Sequence, residues 1–263
     1  MAKLDALLGA GHPAASLVYG TASSVDAITL DALAAYRSAL ASGRRMVVTV
    51  VGPVPADAVV RALEAELGSL PEGAVPAPAA PAPVPSPTET AELSLGKSQA
   101  YLALGELFDA PAEDRAALAV AASILSDRLA FDLRETRGLA YSIGASVRPW
   151  GGRMRLDVTM GTRAANLETA RAGILEGLAK FREAEPSAAD VARAVNAARG
   201  AALMRRMTRI SLAYEAGLEA MRGREPGDER RFLDTFGRVT PGDVRRIAQT
   251  YFVPEHLATV VVK

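Results

Sequence analysis

The sequence predicts an α+β fold, an antiparallel sheet packed against helices, and three stretches carry that prediction. Tyr141, Ile143, Ala145 and Val147 alternate with Ser142, Gly144 and Ser146; beyond the turn RPWGG, Met154, Leu156, Val158 and Met160 alternate with Arg155, Asp157 and Thr159. A period of two belongs to half-buried strands, and two such runs joined by a glycine-bearing loop make an antiparallel hairpin. Downstream the period changes to that of helices, with Leu167, Ala170, Ile174, Leu178 and Phe181 over 164–182 and Val191, Val195 and Ala198 from 187. Third, PEGAVPAPAAPAPVPSP at 71–87 admits neither ladder nor helix, so it reads as a semi-rigid linker between a short block and a long one.

In chain order, HPAASLVYGT at 12–21 reads as a loop running into an extended segment. Thr29 is placed to cap a helix over 30–42 whose Leu33, Tyr36 and Leu40 share a face, with Asp31 in the first turn and Gly43 at its end. MVVTVV at 46–51 has the length and continuity of a buried strand. Pro55 opens a helix with Val59, Leu63 and Leu67 on one side, stopped by Gly68. Past the linker come a strand at 98–105 and a helix from Pro111 with Leu118, Ala121, Ala122 and Leu125 facing inward; 203–222 is helical again. The chain's end repeats its beginning: Thr29 falls on Thr240, Leu33 on Val244, Leu40 on Tyr251, and 46–51 on LATVVV at 257–262. The expected organisation is the end of a first, truncated α+β domain at 1–70, a linker at 71–90 and a complete second α+β domain at 91–263.

Composition narrows the function. Of 263 residues 49% are apolar, enough for a substantial core. Lys plus Arg equals Asp plus Glu at 30 each, so no net basic field favours nucleic acid or anionic lipid. The absence of cysteine excludes disulfides, thiolate zinc ligands and a cysteine nucleophile together. MAKLDALLGAGHP lacks the apolar region of a signal peptide, and no apolar run approaches the roughly 20 residues of a membrane span. The expectation is a soluble protein of cytoplasm or periplasm, the compartment left open. Phosphate loop, nucleophile elbow and dinucleotide fingerprint are all missing.

The hairpin's approach, FDLRETRGLAYSIGASV at 131–147, joins a charged helix end to the first strand, with Gly138 breaking the pattern between Arg134 and Tyr141. Its core, LRETRGLAYS, resembles the segment L-R-E-x-x-G-L-x-Y-S in the carboxy-terminal half of the pitrilysin family of zinc peptidases, which includes insulinase and the mitochondrial processing peptidase. HPAASLVYGT resembles a segment late in the first of that family's two similar domains. The resemblance implies the family's domain fold. It also implies that Arg134 and Tyr141 reach across a chamber toward the zinc site of the other half, where guanidinium and phenol donate hydrogen bonds to the scissile carbonyl as its oxygen becomes negative. Gly138 would let the backbone turn between them. Read as residues alone, Arg134 can instead pair with Glu135 or Asp132 on a wet helix end, and Tyr141 can be a half-buried core tyrosine.

The family's zinc motif H-x-x-E-H is absent, and the only histidines, His12 and His256, are separated by most of the chain. The chain is therefore expected to hold no zinc and to be inactive alone. Its implied role is the zinc-free half of a pitrilysin-type metallopeptidase, with peptides as substrates and a catalytic, H-x-x-E-H-bearing half or subunit as partner. The alternative is a non-enzymatic scaffold or peptide-binding subunit of the same fold.

Overall fold

The computed structural model describes residues 1–84, 89–225 and 227–263. In chain order its elements are α1 (Ala2–Leu8), α2 (Ala22–Asp26), α3 (Leu30–Leu40), α4 (Ala56–Leu67), β1 (Thr90–Leu93), β2 (Gln99–Phe108) and α5 (Arg115–Leu129). The last runs directly into a π-helical segment, Ala130–Thr136. There follow β3 (Ser142–Trp150), β4 (Arg153–Arg163), α6 (Leu167–Glu183), α7 (Ala188–Met204), α8 (Arg209–Met221), α9 (Asp228–Thr235), α10 (Pro241–Tyr251) and β5 (Ala258–Val262). They fall into two units that ignore chain order: Met1–Ser16, Ala79–Ala198 and Phe232–Lys263 form one, Leu17–Pro78 and Arg199–Arg231 the other.

The first unit is built on a sheet of order β1-β5-β2-β4-β3. The pairs β2–β4, β3–β4 and β2–β5 are antiparallel, whereas β1 lies parallel to β5, making the sheet mixed at that edge. The expected hairpin is β3–β4, turned by Gly151 and Gly152, both at positive φ. One face of the sheet carries Leu102, Leu104, Leu156, Val158 and Met160 against Leu118, Ile124 and Leu125 of α5, Ile174 and Leu178 of α6 and Ile247 of α10. Helix α6 approaches closely because it bears glycine where the end of α5 and the π-helical segment press hardest. A Cβ on Gly173 would lie 2.5 Å from Leu133 Cδ2, and one on Gly177 2.5 Å from Leu129 Cδ2.

The second face is covered only in part. Leu4 and Leu8 of α1 pack with Leu107, Trp150, Ala258 and Val260, and Gly105 leaves them room. Under α1 lies the fully buried Arg155, donating to Asp157 and Asp5 and stacked 5.2 Å from the Trp150 ring. Trp150, at the hairpin turn, thus packs against both α1 and the Arg155 guanidinium. The end of the Pro/Ala stretch docks beside it, with the Ala82 N–H donating to the Gly151 carbonyl at 2.7 Å. That stretch has no helix or strand from 71 to 84, and its residues 85–87 lie outside the described ones.

In the second unit the local signals hold and the long-range one does not. Thr29 caps α3 through its hydroxyl, and Gly68 ends α4. MVVTVV, however, forms no strand: Met46 through Val51 have no ladder partner among the described residues, and five of the six are exposed. The same is true of the face of α3, where Leu33, Tyr36 and Leu40 are exposed. An apolar run makes a strand only when a second strand bonds its edges. Its counterpart, β5, is sandwiched between β1 and β2 and is buried. The helix expected over 203–222 begins at Arg209, capped by the Thr208 hydroxyl, after α7 has ended at Met204.

Candidate functional site

The segment between α5 and β3 is fixed from below and free above. Leu133 is wholly buried, and its carbonyl accepts from the N–H groups of Leu139 (2.8 Å) and Ala140 (3.2 Å). Arg137 clamps the segment to α6, donating at 3.0 Å to both Asp132 and Glu176. Gly138, at φ 62°, turns the chain where a Cβ would meet nothing but would strain the backbone. Tyr141 N–H then donates to the Gly161 carbonyl at 2.8 Å and brings the chain into register with β4. A helix does deliver into a strand across Gly138, with Arg134 before the turn and Tyr141 after it.

Both side chains are in solvent. Arg134 is exposed and its Nε donates to Glu135 at 2.8 Å, the pairing open to it as an ordinary helix-end residue. Such an exposed pair is worth roughly 0–1 kcal/mol, so it is readily exchanged for another acceptor. Tyr141 is 58% exposed, which sets aside the half-buried core reading. The two line separate concavities. Arg134 borders one of about 510 Å³ with Phe131, Glu135, Arg128, Asp190 and Arg193. Tyr141 borders another of about 460 Å³ with Ser98, Gln99, Arg163, Ala164 and Ala165.

The second concavity lies at the uncovered end of the sheet's second face. Gln99 pairs with Arg163 across β2 and β4, and Gly161 stands between Tyr101 and Ser142 on the flanking strands. A Cβ at Gly161 would lie 3.0 Å from Ser142 Oγ, 3.4 Å from the Tyr101 ring and 3.5 Å from Gln99 Nε2, so the glycine keeps the floor open. Arg163 Nε donates to the Tyr141 phenol oxygen at 3.0 Å, and this hydrogen bond pushes the Arg163 pKa further up, so the guanidinium stays charged. The phenol accepts there with its oxygen and keeps its own O–H to donate. Arg163, Gln99 and Tyr101 escaped the sequence reading. Alternation along β4 places 163 with 161, but only the register brings Gln99 and Tyr141 to them.

The histidines do not make a metal site. His12 Nδ1 accepts from the Ala14 N–H at 3.0 Å and its Nε2 contacts the Ala80 carbonyl at 2.9 Å. His256 Nδ1 lies 3.7 Å from Glu106. Among the described residues no three His, Cys, Asp or Glu side chains cluster as metal ligands, so the donor set does not fit the zinc of the family that the motif suggests. No described helix is long and apolar enough to cross a membrane. Arg205 and Arg206 pair with Glu215, Glu219 and Glu229.

Comparison with known proteins gives this geometry a setting. A family model described as the peptidase M16 inactive domain matches residues 27–198. A relative named as an uncharacterized zinc protease, from Mycobacterium leprae, is 37% identical over 149 residues, 53% of this chain and 33% of the relative. Among solved structures, a peptidase M16 inactive domain from Pseudomonas fluorescens superposes with a TM-score of 0.83 at 21% identity, over 99% of this chain and 64% of that one. A protease from Helicobacter pylori superposes at 0.79 with 20% identity, over 93% and 61%. The structural likenesses establish the fold. The chain spans about a third of its curated relative and less than two thirds of these two solved chains.

Proposed function

We propose, from the premise that the chain belongs to the peptidase M16 inactive-domain family, that it is the zinc-free half of a pitrilysin-type peptidase. In this reading it binds peptide and presents Arg134 and Tyr141 to the scissile carbonyl at the zinc site of a catalytic partner. The observation that carries the reading is the pair itself: two exposed hydrogen-bond donors on a backbone pinned by Leu133, Gly138 and Gly161. Donors aimed at a developing oxyanion lower the barrier most when their scaffold does not reorganise. The chain's part in the chemistry is to hold the peptide, exclude water and place two N–H or O–H groups. Activation of water belongs to the partner.

The test is capture of the chain with its partner, followed by chelator-sensitive cleavage of a fluorogenic peptide. Arg134→Ala and Tyr141→Phe in the captured complex should each lower kcat about 10²–10³-fold, with smaller effects on KM. Full activity in Arg134→Ala would remove the assigned role. A stable complex whose other member also lacks H-x-x-E-H would establish the scaffold reading instead.

A further inference from the structure

The concavity beside Tyr141 carries a feature that donation to a carbonyl does not require: an arginine with no carboxylate. Arg137, Arg148, Arg153 and Arg155 of the same unit each pair with an aspartate or glutamate, whereas Arg163 shares with Arg115, Arg171, Arg182, Arg238 and Arg245 the lack of an acidic partner among the described residues, and of these six it alone lines this space. Among the described residues Arg163 has no acidic side chain within ion-pair distance; its side-chain partner is the neutral phenol of Tyr141, bound through Nε. That bond engages Nε and leaves both terminal nitrogens, the fork that matches a carboxylate, without a side-chain partner among the described residues. The other polar side chains lining the space are Gln99 and Ser98, each able to donate, and no Asp or Glu lines it. The apolar lining is small, Ala164 and Ala165, at the turn that leads into α6. A volume of about 460 Å³ takes one side chain with room to spare.

We infer that Arg163, with Gln99 and Ser98, forms an anionic subsite that takes a carboxylate of the bound peptide beside Tyr141, so that the chain selects peptides carrying an acidic group near the bond presented to Arg134 and Tyr141. This rests on the peptide-binding reading above and adds a substrate preference to it. The site is solvent-open, so the preference is electrostatic in character and weakens with salt.

The experiment uses the full chain and three fluorescein-labelled nonapeptides of one sequence. The first has a central Gln and an amidated end, the second a central Glu and an amidated end, the third a central Gln and a free C-terminal carboxylate. Anisotropy titrations at low salt should give Kd about tenfold lower for at least one of the charged peptides than for the neutral one, and which of them gains tells a side-chain carboxylate from a terminal one. In Arg163→Gln that ratio should fall to about one, while Arg163→Lys, which keeps charge but loses the fork, should retain only part of it. Equal affinity of the three peptides for the wild type, or a ratio that survives Arg163→Gln, overturns the subsite and leaves peptide binding standing. Failure of every peptide to bind overturns both.

Discussion

Glu106 gives the sharpest test of how the sheet is packed. It lies on the helix-covered face of β2, 3% exposed, with Oε1 accepting from the Val253 N–H at 3.1 Å. Burial pushes its pKa up to about 8, against the pull of the Val253 N–H and of Arg182, with Glu255 pushing further up. The folded protein therefore binds a proton that the unfolded chain releases near 4.5. Between those values stability falls as pH rises: the contribution is complete below about 4.5 and lost on reaching about 8. At ~1.4 kcal/mol for each pH unit of that window, the whole effect is at most ~5 kcal/mol. Glu106→Gln keeps the acceptor for Val253 and cannot ionise, so it should match wild type near pH 5 and exceed it by several kcal/mol near pH 8. Urea unfolding at pH 5, 6, 7 and 8 reads the difference directly, and a His256→Gln background removes the imidazole 3.7 Å away from the comparison. Parallel stability–pH curves for wild type and Glu106→Gln would refute the argument.

Two further predictions concern the same unit. Asp114 accepts from Arg246 at 2.6 and 3.2 Å and from the Tyr251 hydroxyl at 2.7 Å, and Arg246 above all holds its pKa below the ordinary range. Its stabilisation has the opposite sign to that of Glu106, present above the ordinary aspartate value and lost as pH falls through the lowered one; with Arg246 half-exposed, Asp114→Asn should cost about 1–2 kcal/mol at neutral pH and nothing in strong acid, by urea unfolding at both. Gly173→Ala puts a methyl 2.5 Å from Leu133 Cδ2, and the overpacking of about 1–3 kcal/mol exceeds the helix-propensity gain of under about 1 kcal/mol. It should lower Tm, whereas Gly200→Ala, on α7 with open space around it, should raise it; equal shifts would show that the contact of α6 with the π-helical segment yields freely.

What could be read from the sequence was what is settled locally. Thr29 and Thr240 cap their helices through hydroxyls because a cap involves only the next three residues. The β3–β4 hairpin was legible because its alternation and its glycines lie within one continuous stretch. The runs at 46–51 and 258–262 have nearly the same chemistry and opposite fates, since β5 finds β1 and β2 while Met46–Val51 finds no strand among the described residues. Strand β1 was hidden for the same reason: TAEL after a Pro/Ala stretch has no pattern of its own and becomes a strand by lying along β5. In the candidate site Arg134 and Tyr141 stood in a recognisable motif, but Arg163 acquires meaning only from a register that pairs it with Gln99.

The motif's spacing follows from the backbone rather than from the side chains it ends in. The π-helical segment puts Leu133 into the core, its carbonyl takes the N–H groups of Leu139 and Ala140, and Gly138 supplies the left-handed residue that lets the chain fold back to reach it. Shortening or lengthening this turn by one residue would break the Leu133 bonds or carry Tyr141 off its hydrogen bond to Gly161. Both side chains are solvent-exposed, yet the backbone that carries them is held on each side of the turn, so their freedom is confined to their own rotamers. A substitution at Gly138 should therefore act on both ends of the motif at once, whereas one at Arg134 or Tyr141 acts on a single side chain.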